Sequence, residues 1–161
     1  MNNYFMELLK YDFWATKQIL NTIEIYDVQD EKILFWLNHI YNAQMIWLKR
    51  IVGQQTQLTP NAIHRTEHLG SFFMQVNSFL LGLLYNQENE NVPNLDSLIV
   101  YKNSKGIRFE NSVQQIFSHI LHHSTHHRGQ ICSQLRHLGM QPPQIDFIFY
   151  KRKQESERDN K

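Results

Sequence analysis

Apolar residues recur at three- and four-residue intervals through four long stretches of this chain. That spacing constrains the fold more than any other feature, because it gives each stretch one buried stripe and a polar remainder. The first stretch covers residues 2–25 and carries Phe5, Leu8, Leu9, Ile19, Leu20 and Ile23 in the pattern. The second runs to about Ile51 from an N-cap at Asp27 or Asp30, and Gly53 follows as a stop signal. The segment QQTQLTPNAIHR (54–65) is mostly polar, contains Pro60 and reads as a long connection. A third helix, rich in Phe and Leu, is expected from about Glu67 to Gln87. In DSLIVYKNSKGIRFE two β-rich runs flank Asn103–Gly106, which predicts a short hairpin. The fourth helix is expected to start at Asn111, with Gln114 in capping-box position, and to stop at Gly139 before Pro142-Pro143. A short helix at 144–150 closes the domain, and KRKQESERDNK (151–161) is expected to be a charged, flexible tail. The fold class expected is all-α: a four-helix bundle over residues 1–150 with a small β-hairpin between the third and fourth helices and a short C-terminal helix.

Composition removes several function classes. At 161 residues and 42% hydrophobic, the chain can bury a single core. Sixteen Lys and Arg stand against fifteen Asp and Glu. The tail holds five of the former and three of the latter, so the body carries eleven against twelve, a net −1. That charge does not favour a nucleic-acid or membrane-surface partner. Glu7, Lys10 and Asp12 interrupt any apolar leader, and Phe72–Tyr85 is too short and too polar to span a bilayer, so a cytoplasmic protein is expected. Cys132 is the single cysteine; it excludes disulfide scaffolds and Cys-rich zinc frameworks, and its helical position suits a small packing residue.

The chain has nine histidines, and five of them fall in SHILHHSTHHRGQ (118–130). On a helical wheel Val113, Ile120, Ile131 and Leu138 mark the buried stripe of the fourth helix. His123 and His127 fall in or beside that stripe, whereas His119, His122 and His126 turn towards Gln115 and Ser133 on a polar face. Two inward imidazoles one turn apart can grip one ion, or can be hydrogen-bonded core residues. A third ligand must come from another helix. His39 is the candidate on the second helix, although the wheel sets it off the main stripe, near Ile46. His64 and His68 straddle a loop and a helix start and are expected at the surface. Between Asn111 and Gly139 there is no Asp or Glu, which excludes the Glu-x-x-His pattern of di-iron bundles. Ser124 follows His123, so the zinc-protease motif with its built-in base is absent as well.

The segment HHSTHHRGQICSQLRHLGMQPPQID (122–146) resembles the H-x-x-x-H-R-G-Q helix, L-R-x-L-G turn and Pro-Pro-x-x-Asp ending of the DinB-like (DNA-damage-inducible, DinB/YfiT) superfamily of metal-binding four-helix bundles. YDFWATKQIL (11–20), NHIYNAQMIWLKR (38–50) and IVYKNSKGIRFE (99–110) are similar to its first helix, second helix and hairpin. The resemblance implies a triad of His39, His123 and His127 on one divalent transition metal, nickel or zinc first, with iron or manganese as alternatives. It also implies a homodimer and a small-molecule substrate or low-molecular-weight thiol as partner. Characterised relatives include thiol-dependent S-transferases, so the function expected is a metal-dependent enzyme, an S-transferase or a hydrolase. The alternative is a non-enzymatic, stress-associated bundle with a structural or vestigial metal site. Asp12, Asn42, Gln130 and Asp146 are further candidates for contacts around the site, with no role assigned.

Overall fold

The computed structural model of the chain describes residues 2–159 except 87 and 104, with side chains up to residue 156. Helices α1 (Asn2–Ile25), α2 (Glu31–Ile51), α3 (Thr66–Tyr85) and α4 (Val113–His137) form the bundle. Strands β1 (Leu98–Lys102) and β2 (Arg108–Ser112) separate α3 from α4, and α5 (Phe147–Asp159) follows. Each bundle helix packs on two others: α1 and α2 both touch α3 and α4, so α1 and α2 occupy opposite corners. Phe5, Leu9, Ile19, Ile33, Leu37, Ile40, Phe73, Leu80, Phe117, Ile120, Ile131 and Leu135 fill the space between them.

Local signals place the helix ends. Asp30, not Asp27, caps α2, its carboxylate accepting from the Ile33 backbone N–H at 3.0 Å. That bond, chief among several, holds the Asp30 carboxyl below its usual pKa. Asp27 instead takes a left-handed turn conformation, φ 48°. Gly53 (φ 69°) and Gly139 (φ 76°) adopt the left-handed backbone just past the ends of α2 and α4, where a Cβ would be strained. The hairpin forms where expected, with Leu98 opposite Ser112 and Lys102 opposite Arg108.

Three sequence expectations are corrected. The capping box of α4 is Ser112 with Gln115, not Asn111 with Gln114. Asn111 still belongs to β2 and pairs with Ile99, so the helix cannot begin there. Leu138 is not in the buried stripe: it is 41% exposed as the C-cap of α4, and Leu135 fills the core one turn earlier. The last helix starts at Phe147 rather than 144 and continues to Asp159, anchored on α1 by Tyr150 and by an ion pair between Lys151 and Glu7.

The core also holds a polar cluster. Arg128 of α4 is fully buried and forms an ion pair with Asp12 of α1. Gln44 of α2 donates from Nε2 to Asp12 Oδ2 at 2.9 Å and contacts Ser124 Oγ of α4 at 3.0 Å. Arg128 Nη2 donates to Thr125 Oγ1 at 3.1 Å. Asp12 occupies an i, i+3 position with respect to Leu9 and Ala15, so an acid sits on the buried face of α1. Three helices are thus tied by one desolvated charge pair.

Replacing one member of a buried pair leaves the other charge without compensation, which typically costs several kcal/mol. Asp12→Ala should therefore destabilise the protein by about 3–5 kcal/mol in urea unfolding. The double replacement Asp12→Leu with Arg128→Met should lose less than that single change, because no charge is then left buried.

Candidate metal centre

The site lies where α2 and α4 pack together, and it begins with helical spacing. His123 and His127 are one turn apart on α4, and the polar cluster around Arg128 and Ser124 turns their side of the helix towards α2. His39 comes from the facing side of α2. Its Nε2 lies 3.1 Å from His123 Nε2, and His127 Nε2 lies 3.2 Å from the same atom. All three imidazoles are half-buried, and together they could hold a metal ion.

The other ring nitrogens decide what this cluster can do. His39 Nδ1 lies 2.9 Å from the backbone carbonyl of Pro60, and His127 Nδ1 lies 2.6 Å from Gln130 Oε1. A carbonyl oxygen only accepts, so both Nδ1 atoms carry the proton and both Nε2 atoms keep a lone pair. Those lone pairs converge on His123 Nε2, where a single N–H can answer one of them. An electron-poor centre among the three satisfies all of them at once. One ion bound at 2.0–2.1 Å holds imidazole nitrogens about 2.9–3.4 Å apart, depending on the coordination angle. The two separations from His123 fall inside that interval, and all three donor atoms lie within 4.8 Å of one another, close enough to hold one ion.

Electrostatics favour the neutral ligand form. Burial, then the nearby His127 and His39, pushes the His123 pKa down to about 4. Burial is also the largest cause lowering His127, partly opposed by its Gln130 hydrogen bond. Both rings are therefore neutral at about pH 7, the form in which an imidazole binds a metal.

The connection 54–65 is part of the site, which its polar sequence did not announce. Buried Asn42 donates from Nδ2 to the carbonyls of Pro60 (3.2 Å) and Ala62 (2.7 Å). Asn38 Oδ1 accepts from the His64 backbone N–H at 2.7 Å. His64, expected at the surface, is half-buried, its Nε2 lying 2.7 Å from Asn42 Oδ1. These bonds pin the loop across α2 and aim the Pro60 carbonyl at His39. The signal available in the sequence was Asn38 and Asn42 one turn apart beside His39.

Of the other candidates, Gln130 orients His127, Asn42 holds the loop that orients His39, and Asp12 supports α4 from beneath. Asp146 is exposed at the start of α5 and is not brought to the triad. His119, His122, His126 and His68 are exposed, as expected. Cys132 is buried packing, and burial pushes its thiol pKa up, away from a reactive thiolate.

Two outcomes follow from this geometry. Gln130→Ala frees the His127 ring and should weaken metal binding by about 10–100-fold, measured by competition with a chromophoric chelator. In metal-free protein, His123 and His127 titrate below the free-imidazole value of 6.5. The unfolded chain then binds more protons than the folded one below that pH. Stability should be complete above about pH 6.5 and fall progressively as pH drops towards 4, read as urea midpoints across that range.

The chain matches the DinB family over residues 1–159. It is also similar to Protein DinB of Bacillus subtilis (strain 168), with 24% identity over 168 residues covering 93% of this chain and 95% of that protein. The family match runs from the first helix to the last and takes in all three histidines of the site. This chain belongs to the DinB family.

Proposed function

We propose that this protein is a metal-dependent enzyme in which His39, His123 and His127 hold one divalent transition ion, and that it transfers a low-molecular-weight thiol to an electrophilic small molecule. The observation that carries the reading is the convergence of three Nε2 atoms with two of their rings fixed from behind. Three neutral imidazoles without a carboxylate resemble the ligand set of open, catalytic sites rather than closed structural ones. Such a donor set suits nickel or zinc and also admits iron or manganese. When bound, the ion lowers the pKa of a thiol or water at its open position.

The chain's own residues supply the rest. Pro60 O and Gln130 Oε1 hold two rings in the tautomer that points Nε2 inward. Phe35 stacks on His39 with ring centroids 5.8 Å apart and offers an apolar rim to the site. Cys132 is buried and kept protonated, so the sulfur nucleophile in this reading comes from a co-substrate. A homodimer is part of the proposal, to be checked by sedimentation equilibrium.

Protein purified without an affinity tag should contain about one equivalent of transition metal per chain, consistent with a single three-histidine site. His39→Ala and His127→Ala should each lower that content and abolish turnover in a thiol-transfer screen, with the helical circular-dichroism signal retained. Absence of metal after reconstitution would overturn the metal reading. Full occupancy without turnover, together with a lower melting temperature for His127→Ala, would favour the non-enzymatic bundle instead.

A further inference from the structure

Beyond the triad, a row of ring contacts continues along the seam between α2 and α4 towards the hairpin. His119, one turn before His123 on α4, has its ring 5.4 Å from that histidine. On the other side of His119 the Trp47 ring of α2 lies at 5.3 Å. On α2 the positions at His39, Ala43 and Trp47 follow one another at four-residue spacing, so the smallest of the three side chains lies between the triad and the indole. At the far end stands Arg50. Eleven residues separate it from His39, which is about three turns and about 16 Å of helix axis on nearly the same face.

The Arg50 guanidinium packs into a corner made by two aromatic rings. Its Cζ lies 4.4 Å from the Trp47 ring centre and 4.5 Å from that of Tyr101 on β1, and the rings meet at 80°. Tyr101 is itself fixed, its hydroxyl donating to Asn111 Oδ1 at 2.8 Å. Among the described residues Arg50 has one polar contact, from Nη2 to the Lys102 carbonyl at 3.4 Å. Among the described residues no carboxylate pairs with it. The one acid on the hairpin is otherwise placed: Glu110 faces Arg108. Arg50 is half-buried, and that burial lowers its pKa. A partly desolvated cation with no counter-charge is costly, and the aromatic corner together with the C-terminal end of α2 compensates it only in part.

We infer that Arg50, held rigid by Trp47 and Tyr101, binds the carboxylate of a small-molecule ligand lying along the α2–α4 seam. The inference rests on the proposed function in one respect: the same ligand's other end reaches the histidine triad. A guanidinium whose orientation is fixed by stacking presents its remaining in-plane N–H groups as a fork, which matches the two oxygens of a carboxylate. The substrate class is then an extended acid whose reactive group lies several bonds from its carboxylate. Neutral thiols and neutral electrophiles would lack this anchor.

The test follows the side chains directly. ¹H–¹⁵N spectra of the full labelled chain, metal-free and loaded with Zn²⁺, are recorded during titration with succinate, inorganic phosphate and, at matched ionic strength, chloride. Succinate should move the Trp47 indole N–H and Arg50 Nε–H resonances saturably in both forms, and chloride should not. Arg50→Gln should weaken that response at least ten-fold. Arg50→Lys, which keeps the charge and loses the fork, should fall between the two. No saturable response to succinate, or an unchanged response in Arg50→Gln, overturns the inference. Tighter binding of phosphate than of succinate overturns the carboxylate assignment in favour of a phosphate-bearing ligand. Failure of Zn²⁺ to perturb the three histidines, with the Arg50 response intact, sinks the proposed metal function and leaves the carboxylate site standing.

Discussion

The buried pair between Arg128 and Asp12 is the interaction on which the arrangement of α4 depends. Arg128 follows His127 directly, so wherever its side chain is anchored fixes the direction of the histidine beside it. The anchor is on α1, through Asp12, and a second tie runs from Ser124 through Gln44 to α2. With about 100° between successive residues, an arginine turned into the core towards α1 carries the His123–His127 edge round to face α2. A sliding or rotating α4 would leave the pair unmatched in a dry interior, where the energetic penalty is steep. The charge pair thus acts as a register lock for the candidate centre.

Around that lock, each histidine is aimed by something chemically different. His127 is set by a side-chain amide one turn away, a local device within α4. His39 is set by a backbone carbonyl 21 residues further along the chain, held in place by asparagines of its own helix. His123 is placed mainly by packing and by its two imidazole neighbours. Local, loop-mediated and packing constraints therefore meet on three nitrogen atoms. From the triad a series of ring contacts runs on along the α2–α4 seam to Arg50, linking the triad to the charge at the hairpin.

The legible parts of the sequence were those governed by short-range periodicity. Helices α1 to α4 and the hairpin could be read because apolar spacing and turn residues act within a few positions. His123 and His127 were legible for the same reason: one helix, one turn, one face. Asn111 misled as a cap because it still lies in β2 and pairs with Ile99, a contact that no local pattern records. His64 looked like surface because its partner, Asn42, lies 22 residues away. Arg128 was visible only as part of a motif, since a charge in the core makes sense only once its partner on α1 is known.

The sequence by itself determined the helices, the turn between the strands, the pair of inward histidines on α4 and, through its motifs, the family. Those features depend on interactions between residues close in the chain, or on patterns that survive without coordinates. Only the tertiary structure brought His39, implied by the motifs but set off the main stripe by the wheel, against the other two histidines. Only it revealed that Pro60 and Gln130 fix the tautomers and that Asp12 and Arg128 form an ion pair. A wheel drawn for one helix gives the direction of each side chain but not the identity of the neighbour it meets. The packing of α2 against α4, and of α4 against α1, supplies that neighbour, and with it the candidate metal centre.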